Sequence, residues 1–287
     1  MKSYFFLYKK GLYTLLALLF FSTLWLFPSK GYGEAQGTQE PQATQKPQAI
    51  QEPNGVQHPN APDTSSVPKE KNTPVEQIGP DEYKIGNLLL NKKTKEISIP
   101  GQVNMQSGLV EYLACRSVEA AKLHESVLKL DVKPSDVQVA LLLMGAKPDN
   151  NLKCQGDTTL PKGDPLEIWV EWELPDKTKK RVRGEEVLYN QIEKKTMGKT
   201  IWAFTGSFIR EGRFTADEEG SIIATFRDPV AIINNPLPVG ADDTQLFCHE
   251  KLLPPVGTKI IMIIKASTEP PLEKVTPDKL ENKQDRI

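Results

Sequence analysis

Three cysteines and three histidines are all that 287 residues offer of the side chains that most readily bind soft metals or form nucleophile–base pairs. The cysteines stand at 115, 154 and 248, too dispersed for the four close thiolates of an iron–sulfur cluster. In an oxidising compartment an odd count implies one disulfide and one spare thiol. A charge excess of one sign is missing as well: 36 Lys and Arg stand against 37 Asp and Glu. Lys2, Lys9, Lys10 and Lys30 have no acid beside them in residues 1–33, and removing those four charges from the net −1 leaves −5 for the rest. A mildly acidic body with no basic stripe argues against nucleic-acid binding. No P-loop, dinucleotide fingerprint, nucleophile elbow or H-E-x-x-H helix occurs.

What is present begins with an address. Three lysines precede the uncharged run Gly11–Phe27, and Gly31-Tyr32-Gly33 can serve as a cleavage site. Residues 1–33 therefore read as an export signal, either cleaved or kept as an anchor in the cytoplasmic membrane through residues 11–27. Residues 34–79 hold few large apolar side chains and a six-residue repeat over Thr38–Ala61, with proline in each unit. Such a stretch cannot build a core and reads as a solvated, semi-rigid spacer with a reach on the order of 100 Å. Residues 269–287 are charged and proline-bearing and read as a disordered tail.

Order is expected from Tyr83. Leu88–Leu90 and Glu96–Ile99 flank N-K-K-T-K as a hairpin closing at Pro100-Gly101. Leu109–Ala146 organises the domain. His124–Val132 alternates as a half-buried strand, with His124 opening it on the core side and Glu125 on the other. Ser135 and Gln138 have capping-box spacing, and the helix over 135–144 is apolar nearly all round, which predicts burial on most sides. Leu166–Leu174 is the clearest strand, its glutamates facing Lys179, Arg181 and Arg183 after a turn. Trp202–Ile209 reads as a strand with Gly206 as a bulge, and Phe214–Ala216 and Ile222–Phe226 as strands around a D-E-E-G turn with Gly220 left-handed. Asp228 and Pro229 read as the start of a second short helix over 228–234. Lys259–Ala266 is apolar enough to be buried on both faces.

The segments K-L-H-E-S-V (Lys122–Val127) and K-P-S-D-V-Q-V-A-L-L-L-M-G-A-K-P (Lys133–Pro148) resemble the YdjY-like family of exported bacterial proteins. W-A-F-T-G-S at Trp202–Ser207, D-P-V-A-I-I-N-N-P at Asp228–Pro236 and P-P-V-G-T at Pro254–Thr258 are similar to it too. The resemblance spans roughly Tyr83–Ala266. It implies a fold and an extracytoplasmic compartment and supplies no reaction.

The resulting expectation is one α+β domain over 83–268, a mostly antiparallel sheet with helix 135–144 buried on it. Candidate binding residues are His124, Glu125, Trp202 and Ser207. Cys115, His124, Cys248 and His249 together have zinc-compatible chemistry, although their spacing matches no zinc pattern. Cys248 and His249, as sequence neighbours, would point to opposite faces of a strand. Cys154 and Cys248 lie in polar segments and are the expected disulfide. If the strands around Cys115 and His124 form a hairpin, the better apolar match pairs Arg116 with His124, which puts Cys115 and His124 on opposite faces. Two functions follow. One is an exported binding or scaffolding module without a catalytic constellation or cofactor, whose partner is an envelope protein or a small ligand. The other is a zinc or thiol site on the Cys and His residues.

Overall fold

The computed structural model describes residues 73–119 and 121–269. Within it, β-branched and aromatic residues at alternate positions form strands, in chain order β1 (Val75–Gln77), β2 (Glu82–Ile85), β3 (Leu88–Asn91), β4 (Glu96–Val103), β5 (Tyr112–Arg116) and β6 (Ser126–Leu130). Helix α1 (Pro134–Met144) follows, then β7 (Pro148–Asp149), β8 (Lys162–Gly163), β9 (Pro165–Glu173), β10 (Lys179–Arg183), β11 (Leu188–Asn190), β12 (Lys195–Thr196) and β13 (Trp202–Ala203). A small hairpin, β14 (Ile209–Arg210) and β15 (Arg213–Phe214), leads into the short helix α2 (Thr215–Glu219). The chain then runs through β16 (Ser221–Ala224), β17 (Ile233–Asn234), β18 (Leu246–Cys248) and β19 (Lys259–Ala266).

Eight of these strands close into a barrel in the order β4-β19-β9-β13-β17-β16-β5-β6 and back to β4. This overturns the expected α+β arrangement of helices on an open sheet: the fold is mostly β, and its wall is a ring. Two contacts in that ring are parallel, β16 with β17 and β5 with β6. The strands at Cys115 and His124 are therefore not a hairpin. Tyr112 pairs with Ser126 and Cys115 with Lys129, so the connection returns along the length of β5 and enters β6 through a 3-10 turn at Leu123–Glu125.

Closure depends on Pro100-Gly101, expected to end a hairpin. The strand instead runs on to Val103. Its first half pairs with β3 and its second half with β6 along the same edge. A Cβ on Gly101 would lie 2.5 Å from the Lys129 carbonyl oxygen, so only glycine lets β6 approach here. Ile97, Ile99, Val103, Leu128, Leu130, Ile168, Val170, Met262 and Ile264 fill the core, almost all of them fully buried. On β19 the expected two-sided burial holds for Ile263 but fails for Ile261, which is 37% exposed. β1–β3 extend from β4 as a wing, and β1 falls inside the stretch read as spacer.

α1 packs against β3, β4 and β16 through Val137, Ala140, Leu141 and Met144. Burial on most sides is not found: Val139, Leu142 and Leu143 face outward. Nor does the capping box form. Lys133 is the N-cap and Pro134 the first helical residue, while the Ser135 N–H donates to Asp217 Oδ1 at 2.8 Å and Gln138 turns to Ser207. The C-terminus ends as expected on left-handed Gly145. No helix forms over 228–234. Asp228 Oδ1 accepts the Val230 N–H at 2.8 Å, and this local turn redirects the chain into β17. Residues 215–219, read as strand and turn, form α2, and Gly220 is its left-handed cap. Among the described residues no helix is long and apolar enough to cross a membrane. The readings of residues 1–72 and 270–287 lie outside the described residues.

Candidate functional site

A cluster of ionisable groups sits beside β5, where the β5–β6 connection returns along it. Tyr112 on β5 is completely buried, and its hydroxyl donates to Asp228 Oδ2 at 2.6 Å. The Lys122 ammonium, carried by that connection, donates to the Tyr112 oxygen at 2.8 Å. That ammonium also lies 3.5 Å from Glu219 Oε2 at the end of α2 and 3.9 Å from Asp228 Oδ2. Burial and the Asp228 charge push the Tyr112 hydroxyl far above the usual phenol range, so it stays a fixed donor at any physiological pH. Glu111, just before β5, is pushed up by burial and by neighbouring Glu125. Lys122 is thus the cation that offsets a group of carboxylates, and its side chain, 28% exposed, is the most open of the trio.

Behind Asp228 the network continues inward. Asn234 Oδ1 accepts the Asp228 N–H at 2.8 Å, and its amide donates to Thr205 Oγ1 at 2.9 Å. Asn235 donates to the Thr225 carbonyl at 3.0 Å. Buried Arg227 has no side-chain carboxylate as hydrogen-bond partner: its guanidinium donates to the carbonyls of Asp157, Asn235, Pro236 and Leu237. The W-A-F-T-G-S and D-P-V-A-I-I-N-N-P segments are therefore two halves of one polar knot, in which nearly every donor already has an acceptor. Chemically this arrangement fixes backbone. Beside it, opposite Cys115 on the neighbouring strand, the fully buried Ser221 hydroxyl has no hydrogen-bond partner among the described residues.

The residues singled out from sequence are placed as follows. His124 lies on the 3-10 turn with its side chain 79% exposed, 3.6 Å from Glu125, not on a core face. Trp202 is fully buried and its indole donates to Glu185 at 3.3 Å, a packing role. The Ser207 N–H donates to Gln138, and its hydroxyl meets Thr215 Oγ1 at 3.0 Å. Cys115 is fully buried beside Tyr112, Ala121, Ala224 and Ala231, where burial pushes its thiol up to about 12. Burial does the same to Cys248 on β18, also to about 12. No bond joins Cys154 to Cys248: Cys154 is exposed, Cys248 is buried against β11, and all three cysteines are free. His249 stacks on Tyr189 at 5.6 Å between centroids, with Nδ1 2.9 Å from the Glu186 carbonyl oxygen. Cys115, His124, Cys248 and His249 are not gathered into one site. Among the described residues, no three His, Cys, Asp or Glu side chains could hold a metal ion.

Sequence reasoning missed Tyr112, Lys122, Arg227 and Asp228 as a unit. Nothing in the strand alternation singles out Tyr112, and Asp228 reads as the start of a helix. The available signal was composition: an Asp with two Asn six and seven positions on, all in an apolar segment, must find polar partners if buried.

No curated protein and no solved structure matches the chain. A family model, the YdjY domain, matches residues 88–265, well over half the chain and running from the start of β3 to within β19. The chain therefore belongs to the YdjY family.

Proposed function

We propose that this chain is an exported binding or scaffolding module, membrane-tethered or released outside the cytoplasm, and not an enzyme. One observation carries the reading: Tyr112, Asp228 and Lys122 under the β5–β6 connection are consumed in holding one another. Tyr112 is sealed, Asp228 is shared between Tyr112 and backbone, and the Cys115 thiol is fully buried among Tyr112, Ala121, Ala224 and Ala231. A catalytic group needs an open face for substrate and a proton it can move near neutral pH. What remains outward is surface, and the uncharged run Gly11–Phe27 supports export of that surface.

The test is fractionation of the native host cell, followed by capture of the chain from its envelope and identification of co-purifying proteins, small molecules and metals. The expected result is an envelope location with a stoichiometric partner and no metal. Recovery in the cytoplasm would reject export, and stoichiometric zinc would reject the non-metal reading.

A further inference from the structure

α1 is a surface helix with no charged residue on its outer side. Its sole acid, Asp136, is buried, and Val137, Ala140, Leu141 and Met144 face the barrel. Ser135, Gln138, Val139, Leu142 and Leu143 remain for the other side. Val139, Leu142 and Leu143 recur at i, i+3 and i+4, so they form one patch, and they are 37%, 48% and 36% exposed. Surface helices ordinarily carry charge in that sector, and contiguous exposed apolar side chains mark contact sites. The patch has a neighbour. Gln138 Oε1 accepts the Ser207 N–H at 2.9 Å, which seats the β14–β15 hairpin beside this side of α1. Two residues on, Ile209 is 71% exposed, and Arg210 follows it. Lys147 follows the helix at its C-terminal end.

The chain upstream joins the domain at this same element. Thr73, the first described residue, lines one cleft together with Asp136 in the first turn of α1. Residues 28–72 connect that point to the uncharged run Gly11–Phe27. We propose that the outer side of α1, together with Ile209, docks on the surface of the lipid bilayer that holds the run. The inference rests on the membrane-tethered form of the function proposed above. Val139, Leu142, Leu143 and Ile209 sink to the acyl boundary, while Lys147 and Arg210 meet lipid phosphates at headgroup level. So small a patch binds weakly alone. A tether makes the contact intramolecular, which raises the effective concentration of the patch at the surface that holds the run, and weak becomes sufficient.

The full chain, reconstituted with vesicles of phosphatidylethanolamine and phosphatidylglycerol, tests this. A polarity-sensitive fluorophore is placed on Leu142→Cys in a Cys154→Ser background, since Cys115 and Cys248 are buried. Flotation reads the tether and the fluorophore reads the docking. Expected are co-flotation and a blue-shifted, several-fold brighter signal at 142. The same label on Lys177→Cys, in the β9–β10 turn, stays unchanged, and Val139→Asp with Leu143→Asp abolishes the signal at 142. Flotation with a water-like signal at 142 overturns the docking and leaves the tether standing. Loss of flotation overturns both. A signal that rises only when an envelope protein is added overturns the lipid assignment in favour of a protein partner.

Discussion

Tyr112 illustrates how much a single buried hydroxyl can hold. It joins β5 to the turn after β16, and through Lys122 to the β5–β6 connection and to α2. Tyr112→Phe keeps the ring and leaves the Asp228 carboxylate short of a donor, so it should cost about 1.5–3 kcal/mol, the range for a hydrogen bond to a charged group. A urea midpoint unchanged in the variant would show that the trio contributes nothing. Arg227→Met is expected to cost more, about 3 kcal/mol or above, because four backbone carbonyls lose their donor together. The thiols give a third check at this scale. In native protein one of the three, Cys154, should react with an aromatic disulfide reagent, and Cys115 and Cys248 only after unfolding. Fast reaction of two would mean that a burial assigned here is wrong.

At the scale of elements, α1 separates its leucines. Leu141 is fully buried and Leu142 is 48% exposed, so Leu141→Ala should cost about 2–5 kcal/mol and Leu142→Ala about 0.5 kcal/mol or less. Equal costs would contradict the one-sided packing. The same helix carries a pH signature. Burial raises the Asp136 carboxyl above its ordinary 3.8, so the folded state binds more protons than the unfolded one between that value and the raised one. Its contribution to stability therefore falls as pH rises through this window. Asp136→Asn should gain stability relative to the parent above the window and not below it, read as urea midpoints across pH; a relative loss at neutral pH would reverse the sign. Elements were the most legible scale in sequence where alternation was strict. Leu166, Ile168, Val170 and Trp172 are buried as their period demands. Legibility failed where a tertiary partner chose among local options. Asp228 can cap a helix or make a turn, and Tyr112 and Asn234 decide for the turn. All three outward apolar residues of α1 look like core in sequence, because hydrophobicity reports what a side chain avoids and not whether anything covers it.

For the whole molecule the decisive contact is β4 with β6, and no local pattern announces it: a ring and an open sheet use the same alternation. Its fingerprint is Gly101, whose backbone needs no positive φ but whose missing Cβ gives β6 room. Gly101→Ala should cost about 1–3 kcal/mol through forced displacement. Hydrogen exchange should then accelerate in β6 sooner than in β3, which pairs with the other half of β4; equal acceleration in both would place the strain elsewhere. The ring also has a calendar. Between β4 and β9 stands β19, the last strand in chain order among the described residues. A polypeptide delivered N-terminus first, from a ribosome or through a translocation pore, keeps both of those edges unpaired until Ala266 has arrived. The wall is finished by its final stave, so any stop before Lys259 yields a gap and not a smaller barrel. Quality control along the route meets this chain as two adhesive borders awaiting one strip.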